Sequence, residues 1–476
     1  MSGPFMGFRM SALAGSLLAL AFQQATAQDA KQLDPALAAR VDSVFVGFAA
    51  PGSPGCALGI MRDGRLVYAK GYGLANLELG VPITPATVFD LGSVSKQFTA
   101  LAIVLLAQDG KLSLDDEVQK YLPEIPRYER PVTVRHLLHH TSGIRDYIDL
   151  LFWSGVQEES VTGDREALEI LSRQRAANFT AGAEHLYSNS GYFLLSQIVK
   201  RASGRSLREF AAERIFNPLG MRHTFFLDNH AEIVPGKAGS YAPAGRARDR
   251  FQLALANWEQ TGDGGVQTSV EDLLLWDRNF SSGVVGGATA IRELETPGVL
   301  NDGKAIVYAL GLVVDSSYRG VRRVSHGGAW AGFRAFLTRF PQQRVSLSTL
   351  CNVANANPSQ LALRVADLLL AGELKAATTN PFTPFTGQPG NPARPLADYV
   401  GRYHSDELLA DWVVRLAGDS LRVRIGPLLE ETVALTPRGF RFAGAQLQFL
   451  ETDGRVTGIT LTSRGARDFR LNRIPQ

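Results

Sequence analysis

A serine three residues ahead of a lysine can carry out acyl transfer when both stand on one face of a helix, because side chains three apart lie one above the other. Ser93-Val94-Ser95-Lys96 is the chain's one Ser-x-x-Lys. It follows Gly92 and opens a run, 93–108, in which Phe98, Leu101, Ala102, Leu105 and Leu106 recur at helical spacing before Asp109-Gly110 ends it. A serine in the first turn of that helix has an unpaired backbone N–H and the positive end of the helix dipole beside it. Both suit a carbonyl oxygen becoming negative under attack. Lys96, set among apolar residues, reads as buried, with a lowered pKa and able to take the serine proton. Taken alone, the tetrapeptide fits better with a polar helix start and a snorkelling surface lysine.

Two further signatures shift that balance. The chain has one Tyr-x-Asn, Tyr187-Ser188-Asn189, just ahead of a helical pattern, and one His-x-Gly, His326-Gly327-Gly328, at the end of an apolar strand-like run. A tyrosine beside the lysine can pass the proton to a leaving group, an asparagine can hydrogen-bond a substrate amide, and glycines let a strand backbone approach a ligand closely.

In this order and on these elements, the three signatures resemble the serine beta-lactamase and penicillin-binding-protein (DD-peptidase) superfamily, nearest to its class C beta-lactamase-like branch with D-aminopeptidases and esterases. The resemblance covers about residues 40–370 and includes Leu137-Leu138-His139-His140-Thr141-Ser142-Gly143, Asn217-Pro218-Leu219-Gly220-Met221 and Gly264-Gly265-Val266. It implies Ser93 as nucleophile, Lys96 and Tyr187 as general base and acid, Asn189 as the substrate amide contact, and the amides of Ser93 and Ala329 as oxyanion hole. His326 and Gly328 would border the substrate. No metal or organic cofactor is implied, and the partner is a small-molecule or peptide substrate.

Two departures stand out. His326 replaces the lysine of the Lys-Thr-Gly usual in true lactamases, so a mostly neutral imidazole stands where a substrate carboxylate would be held. This points to a peptidase or esterase ahead of a class C-like beta-lactamase. Ala181-Gly182 replaces a common Pro-Gly pair, a loop detail of no consequence. No second-carboxylate pattern of the class A kind is visible, so Tyr187 is the expected deacylating base. A reading from another class is a non-catalytic penicillin or peptidoglycan sensor on the same fold; the joint presence of Ser93, Lys96 and Tyr187 argues against it. His136, His139 and His140 have a spacing that could hold a metal, but without a carboxylate partner they read as a packed helix end.

The elements that must position these groups are readable in outline. Short strands at 57–61 and 66–69 flank an Arg62-Asp63-Gly64 turn. Helical patterns follow at 192–202 and 270–280, the second preceded by Thr268 with Glu271 three residues on, a capping-box pattern. Strands are expected at 305–314, 321–325, 333–340 and 345–351, then a helix at 361–370. Strand-rich ends around a helical middle describe an α/β (α+β) unit: an antiparallel sheet flanked by helices, with an inserted helical lobe. Residues 376–395, with five prolines, read as a linker. Residues 396–476 alternate strictly, as in Leu421-Arg422-Val423-Arg424-Ile425, with tight turns at Gly418-Asp419 and Asp453-Gly454, and are expected to form a small antiparallel β-barrel, lipocalin-like by the resemblance.

The 476 residues, 45% hydrophobic and 20% charged, are ample for two domains. A net charge of +3 with no basic run excludes an ordinary nucleic-acid binder. Residues 1–27 carry Arg9 as their one charge, an apolar stretch over 10–22 and Ala25-Thr26-Ala27, which reads as a secretory signal peptide; the stretch is shorter than the ~20 residues of a stable membrane span. The hydrolase domain is then 28–375, and the mature protein is expected in the periplasm or medium. Two cysteines, Cys56 and Cys351, leave a disulfide or two free thiols open, and the oligomeric state is not legible.

Overall fold

The computed structural model describes residues 32–245, 250–376 and 394–475, apart from 427, 428, 437, 438 and 443. The expected signal peptide, and nearly all of the expected linker, lie outside the described residues.

The first hairpin is set by Asp63 and Gly64, both at positive φ (54° and 69°), which matches the twist of a two-residue hairpin turn. It joins strands Cys56–Arg62 and Arg65–Tyr72. The first of these pairs antiparallel with Val345–Cys351, so that the chain's early strand completes the sheet made by its late ones. Among the described residues the sheet has six strands, running Val313–Tyr318, Val321–Trp330, Phe333–Phe340, Val345–Cys351, Cys56–Arg62, Arg65–Tyr72 in space. Val345–Cys351 is buried at every position because both faces are covered. Helices Pro35–Val44 and Pro358–Leu369 cover one face, the latter overlapping the helix expected at 361–370. Helices Lys96–Gln108 and Val270–Ser282 share the core on the other. Cys56 lies opposite Cys351 in the register, and the two form a disulfide between residues 295 apart in sequence.

Three boundaries differ from the sequence reading. Val270–Ser282 is capped by Ser269, whose side chain accepts from the Asp272 amide; Thr268 instead ends the short strand Val266–Thr268. The strand expected at 305–314 begins only at Val313, because the apolar residues before it turn tightly, Ala309 N donating to Leu312 O, and pack on the Lys96 helix. Gly311 there lies so close that a Cβ would fall 2.7 Å from Gln97 N. The strand expected at 321–325 runs on to Trp330, placing His326 within it.

The C-terminal part is a closed barrel of eight antiparallel strands, Gly401–Ser405 to Phe469–Ile474. Alternation is visible in Ser420–Ile425, where Leu421, Val423 and Ile425 point in and the residues between them are exposed or half-buried. Trp412, Tyr403 and Phe442 fill the interior. The barrel docks on the helical lobe beside the sheet: Trp412 Nε1 donates to Trp153 O at 2.8 Å, and the Trp153 and Phe469 rings lie 5.6 Å apart. A largely buried ion pair, Arg145 to Glu407 at 3.1 Å, crosses the same interface. Among the described residues no helix is long and apolar enough to cross a membrane.

Candidate active site

Ser93 does not occupy the first turn of an α-helix; it sits in a 3-10 turn, Gly92–Ser95, from which Lys96–Gln108 continues. The turn is pinned from both sides. Gly92 N donates to Asp90 Oδ1 at 2.7 Å, and Leu91 N donates to Val266 O at 2.9 Å. Gly92 adopts φ +50°, and a Cβ there would lie 2.6 Å from Ala329 N. A Cβ on Gly328 would fall 1.9 Å from Leu91 O and 3.2 Å from Ser93 N. Only two glycines let the His326 strand lie against the serine turn, bringing the backbone of Ala329 beside that of Ser93.

Lys96 is fully buried, and its Nζ has an acceptor for each of its three hydrogens: Ser93 Oγ at 3.1 Å, Asn189 Oδ1 at 2.9 Å and Asp263 O at 2.6 Å. Burial lowers its pKa to about 8, against the opposing pull of the Asp263 and Asp146 carboxylates. The amine therefore changes charge close to neutrality.

Tyr187 lies in the loop before helix Asn189–Ser203. Its ring centroid is 4.8 Å from Lys96 Nζ. Its buried hydroxyl has no hydrogen-bond partner of normal geometry; burial holds the phenol well above its ordinary pKa, and the Ser93 side chain pulls in the other direction. The phenol is thus a neutral proton carrier facing the serine. His140 supports it from behind, ring centroids 4.2 Å apart, with Nδ1 accepting from Ser188 N at 3.2 Å.

Asn189 is committed more deeply to the protein than a substrate-facing amide need be. Beside its bond from Lys96, its Nδ2 donates to Asp146 Oδ2 at 3.0 Å and its backbone N to the same oxygen at 2.6 Å. His326 is buried, with Nε2 3.0 Å from Tyr308 Oη and Nδ1 2.6 Å from Gly327 O. Burial, then the charge of Lys96, bring its pKa down to about 4. Both ring nitrogens are thus engaged inside the protein, and the neutral imidazole expected at this position is enforced by its surroundings. His136, His139 and His140 bond to Thr133 N, Tyr308 O and Ser188 N respectively, so they do not converge, and no metal-ligating cluster is found among the described residues.

Ser93 borders two openings. The larger, about 410 Å³, is lined by Asn189, Lys237, Trp258, Ala329, Trp330 and Phe333 among others, with Trp258 and Trp330 in edge contact at 5.7 Å. The second, about 390 Å³, runs past Tyr187, His326, Gly327 and Gly328. A substrate spanning both would cross the serine hydroxyl.

Ser93, Lys96, Tyr187, Asn189, Gly328 and Ala329 therefore come together, while the His326 side chain backs the site through Tyr308. Sequence reasoning missed Asp146, Asp263 and Tyr308. Asp263 adjoins the Gly264-Gly265-Val266 phrase, a signal that could have flagged it; Asp146 and Tyr308 carry none.

A family model described as Beta-lactamase matches residues 36–372, and the chain belongs to that family. Fold and site define a protein of the beta-lactamase/transpeptidase-like superfamily with an added eight-stranded barrel. Among its relatives, a D-aminopeptidase of Gluconobacter oxydans is 30% identical over 331 residues, 70% of this chain and 60% of that protein. Penicillin-binding protein 4* of Bacillus subtilis is 29% identical over 328 residues, 66% of this chain and 71% of that protein. The solved octameric penicillin-binding protein homologue from Pyrococcus abyssi aligns with a TM-score of 0.62 at 26% identity, covering 92% of this chain and 99% of that one. The chain spans about 60% of the length of the D-aminopeptidase it matches.

Proposed function

We propose that this protein is an exported serine hydrolase that cleaves an amide or ester, in the manner of a peptidase or esterase, through a covalent acyl-enzyme on Ser93. The observation that carries this reading is the 3.1 Å bond between a fully buried lysine and the serine hydroxyl. Above about pH 8 the neutral Lys96 amine takes the Ser93 proton as Oγ attacks the carbonyl carbon. The oxygen that becomes negative is received by the amides of Ser93 and Ala329. Tyr187, neutral and replenished from Lys96, protonates the leaving amine or alcohol as its bond to the carbonyl breaks. Water then attacks the ester, giving its proton to Tyr187 Oη as the phenol passes its own proton to the neutral Lys96 amine; that proton returns to Ser93 Oγ as the ester bond breaks, releasing the acid and restoring Ser93.

The name of the Gluconobacter relative makes a D-amino acid amide the first substrate to try. A lactamase reading is weaker, because the neutral, internally bonded His326 offers no charge to a substrate carboxylate. Export is supported by the leader-like pattern of residues 1–27 and by the Cys56–Cys351 disulfide, which persists in oxidising compartments. Mass spectrometry of secreted protein beginning at Gln28 tests it.

Labelling with a fluorescent fluorophosphonate and a fluorescent penicillin tests the activity. The expected result is fluorophosphonate labelling that disappears in Ser93→Ala. Absence of labelling by both probes favours a non-catalytic binder.

A further inference from the structure

We propose that the barrel turn at 463–466 is a positioning element of the Ser93 site, acting through Asp146; the inference rests on the hydrolase reading above. Asp146 is 4% exposed and divides its carboxylate between two tasks. Oδ1 caps helix Tyr147–Trp153 by accepting from Ile148 N at 2.9 Å, and Oδ2 receives both N–H groups of Asn189, whose Oδ1 in turn receives Lys96 Nζ. Asp146 is therefore one residue removed from the amine that touches the serine.

The barrel holds Asp146 from the opposite side. Gly465 O accepts from Asp146 N at 2.9 Å and from Asn178 Nδ2 at 2.9 Å. Ser463 Oγ donates to Asp149 Oδ2 at 2.5 Å while itself receiving the amides of Gly465 and Ala466. A Cβ on Gly465 would lie 2.4 Å from Asp146 Cβ and 2.7 Å from Asp149 Oδ2. Nothing larger than glycine fits without moving Asp146. Two buried carboxylates this close repel one another, and burial followed by that repulsion raises the Asp146 pKa. Hydrogen bonds from the turn to both partners of the pair are what keep the arrangement in place. Lys96, Asn189, Asp146 and the barrel turn thus form a continuous chain of contacts whose far end belongs to a different domain from the serine.

The test uses the full chain and the rate of covalent reaction with a fluorophosphonate, resolved into the saturating rate and the half-saturating concentration, beside kcat and KM on D-alanine p-nitroanilide and thermal melting. Gly465→Ala should lower the saturating rate roughly tenfold or more with little change in half-saturation, because the displaced group orients the amine and does not contact the substrate. Ser463→Ala should lower it less, and Ser463→Thr, which keeps the hydroxyl, should restore it. Arg175→Ala removes one exposed barrel contact, the Arg175 side chain to Asp406 at 3.2 Å, keeps the backbone bond from Arg175 N to Glu407, and should leave the rate unchanged. Wild-type rates in both Gly465→Ala and Ser463→Ala overturn the proposal, as does an equal loss in Arg175→Ala, which would indicate general loosening of the interface. An unlabelled wild type overturns the hydrolase reading itself.

Discussion

Lys96 Nζ and Ser93 Oγ lie 3.1 Å apart on successive turns of one continuous helical segment, with the lysine's remaining hydrogens held by Asn189 Oδ1 and Asp263 O. Three acceptors around a buried amine describe an ammonium at rest. To serve as base it must lose one proton, and its pKa of about 8 sets where that happens.

Reaction of Ser93 should therefore rise with pH and level off above about 8, the neutral amine being the active form. Stopped-flow acylation across pH 6 to 10 measures this. His326→Lys adds a cation to a buried position already coupled to Lys96, so the limb should shift to lower pH, with no gain in lactam turnover. An unmoved limb would mean that another group titrates. Lys96→Met should cost on the order of 10²- to 10⁴-fold in kcat/KM.

Gly328 and Gly327 make a contrasting pair. A methyl group at 328 would drive into Leu91 O at 1.9 Å and push the strand off the serine turn, whereas at 327 the nearest atom is Phe336 Cδ2 at 3.8 Å. Gly328→Ala should lose roughly 10²- to 10³-fold in kcat, the scale of a lost oxyanion donor, and Gly327→Ala only a few-fold. Parallel steady-state assays on both variants decide the matter; comparable losses would sink the oxyanion assignment.

The Cys56–Cys351 bridge joins the first and the sixth strands of the sheet in sequence order, neighbours at its centre in space, across a sequence separation of 295. Such long closures restrict the unfolded chain most, and removal typically costs about 2 to 5 kcal/mol. Melting of Cys351→Ser, or of wild type with reductant, should show a clear drop in Tm while the Ser93 site, on the other face of the sheet, retains its fluorophosphonate reactivity below the transition.

Tyr187→Phe separates proton transfer from packing. The ring contacts with His140 and Lys96 survive, and the hydroxyl, which has no structural partner, is removed. Melting temperature should be unchanged or slightly raised, because an unpaired buried polar group is lost. Deacylation should slow by roughly 10²-fold or more, so that a labelled acyl-enzyme accumulates in a quench experiment. Unslowed turnover would remove Tyr187 from the proton path.

What was legible in the sequence is local. The barrel announced itself because a strand with one dry face must alternate, as Leu421, Val423 and Ile425 do, and a Ser-x-x-Lys spacing is its own geometry once a helix is present. The family resemblance followed from three such short signals and their order. Features produced by distant segments meeting were not legible. A cysteine pairing across 295 residues and the bond from Asp146 to Asn189 are set by sheet register and domain docking, of which a stretch of five or ten residues holds no trace. The apolar run before Val313 looked like strand because burial, and not pairing, selects its residues. His326 is the clearest case: the sequence determined that an imidazole stands there, while Tyr308, Gly327 O and the charge of Lys96, meeting it only in the folded chain, decided that it is neutral and turned inward.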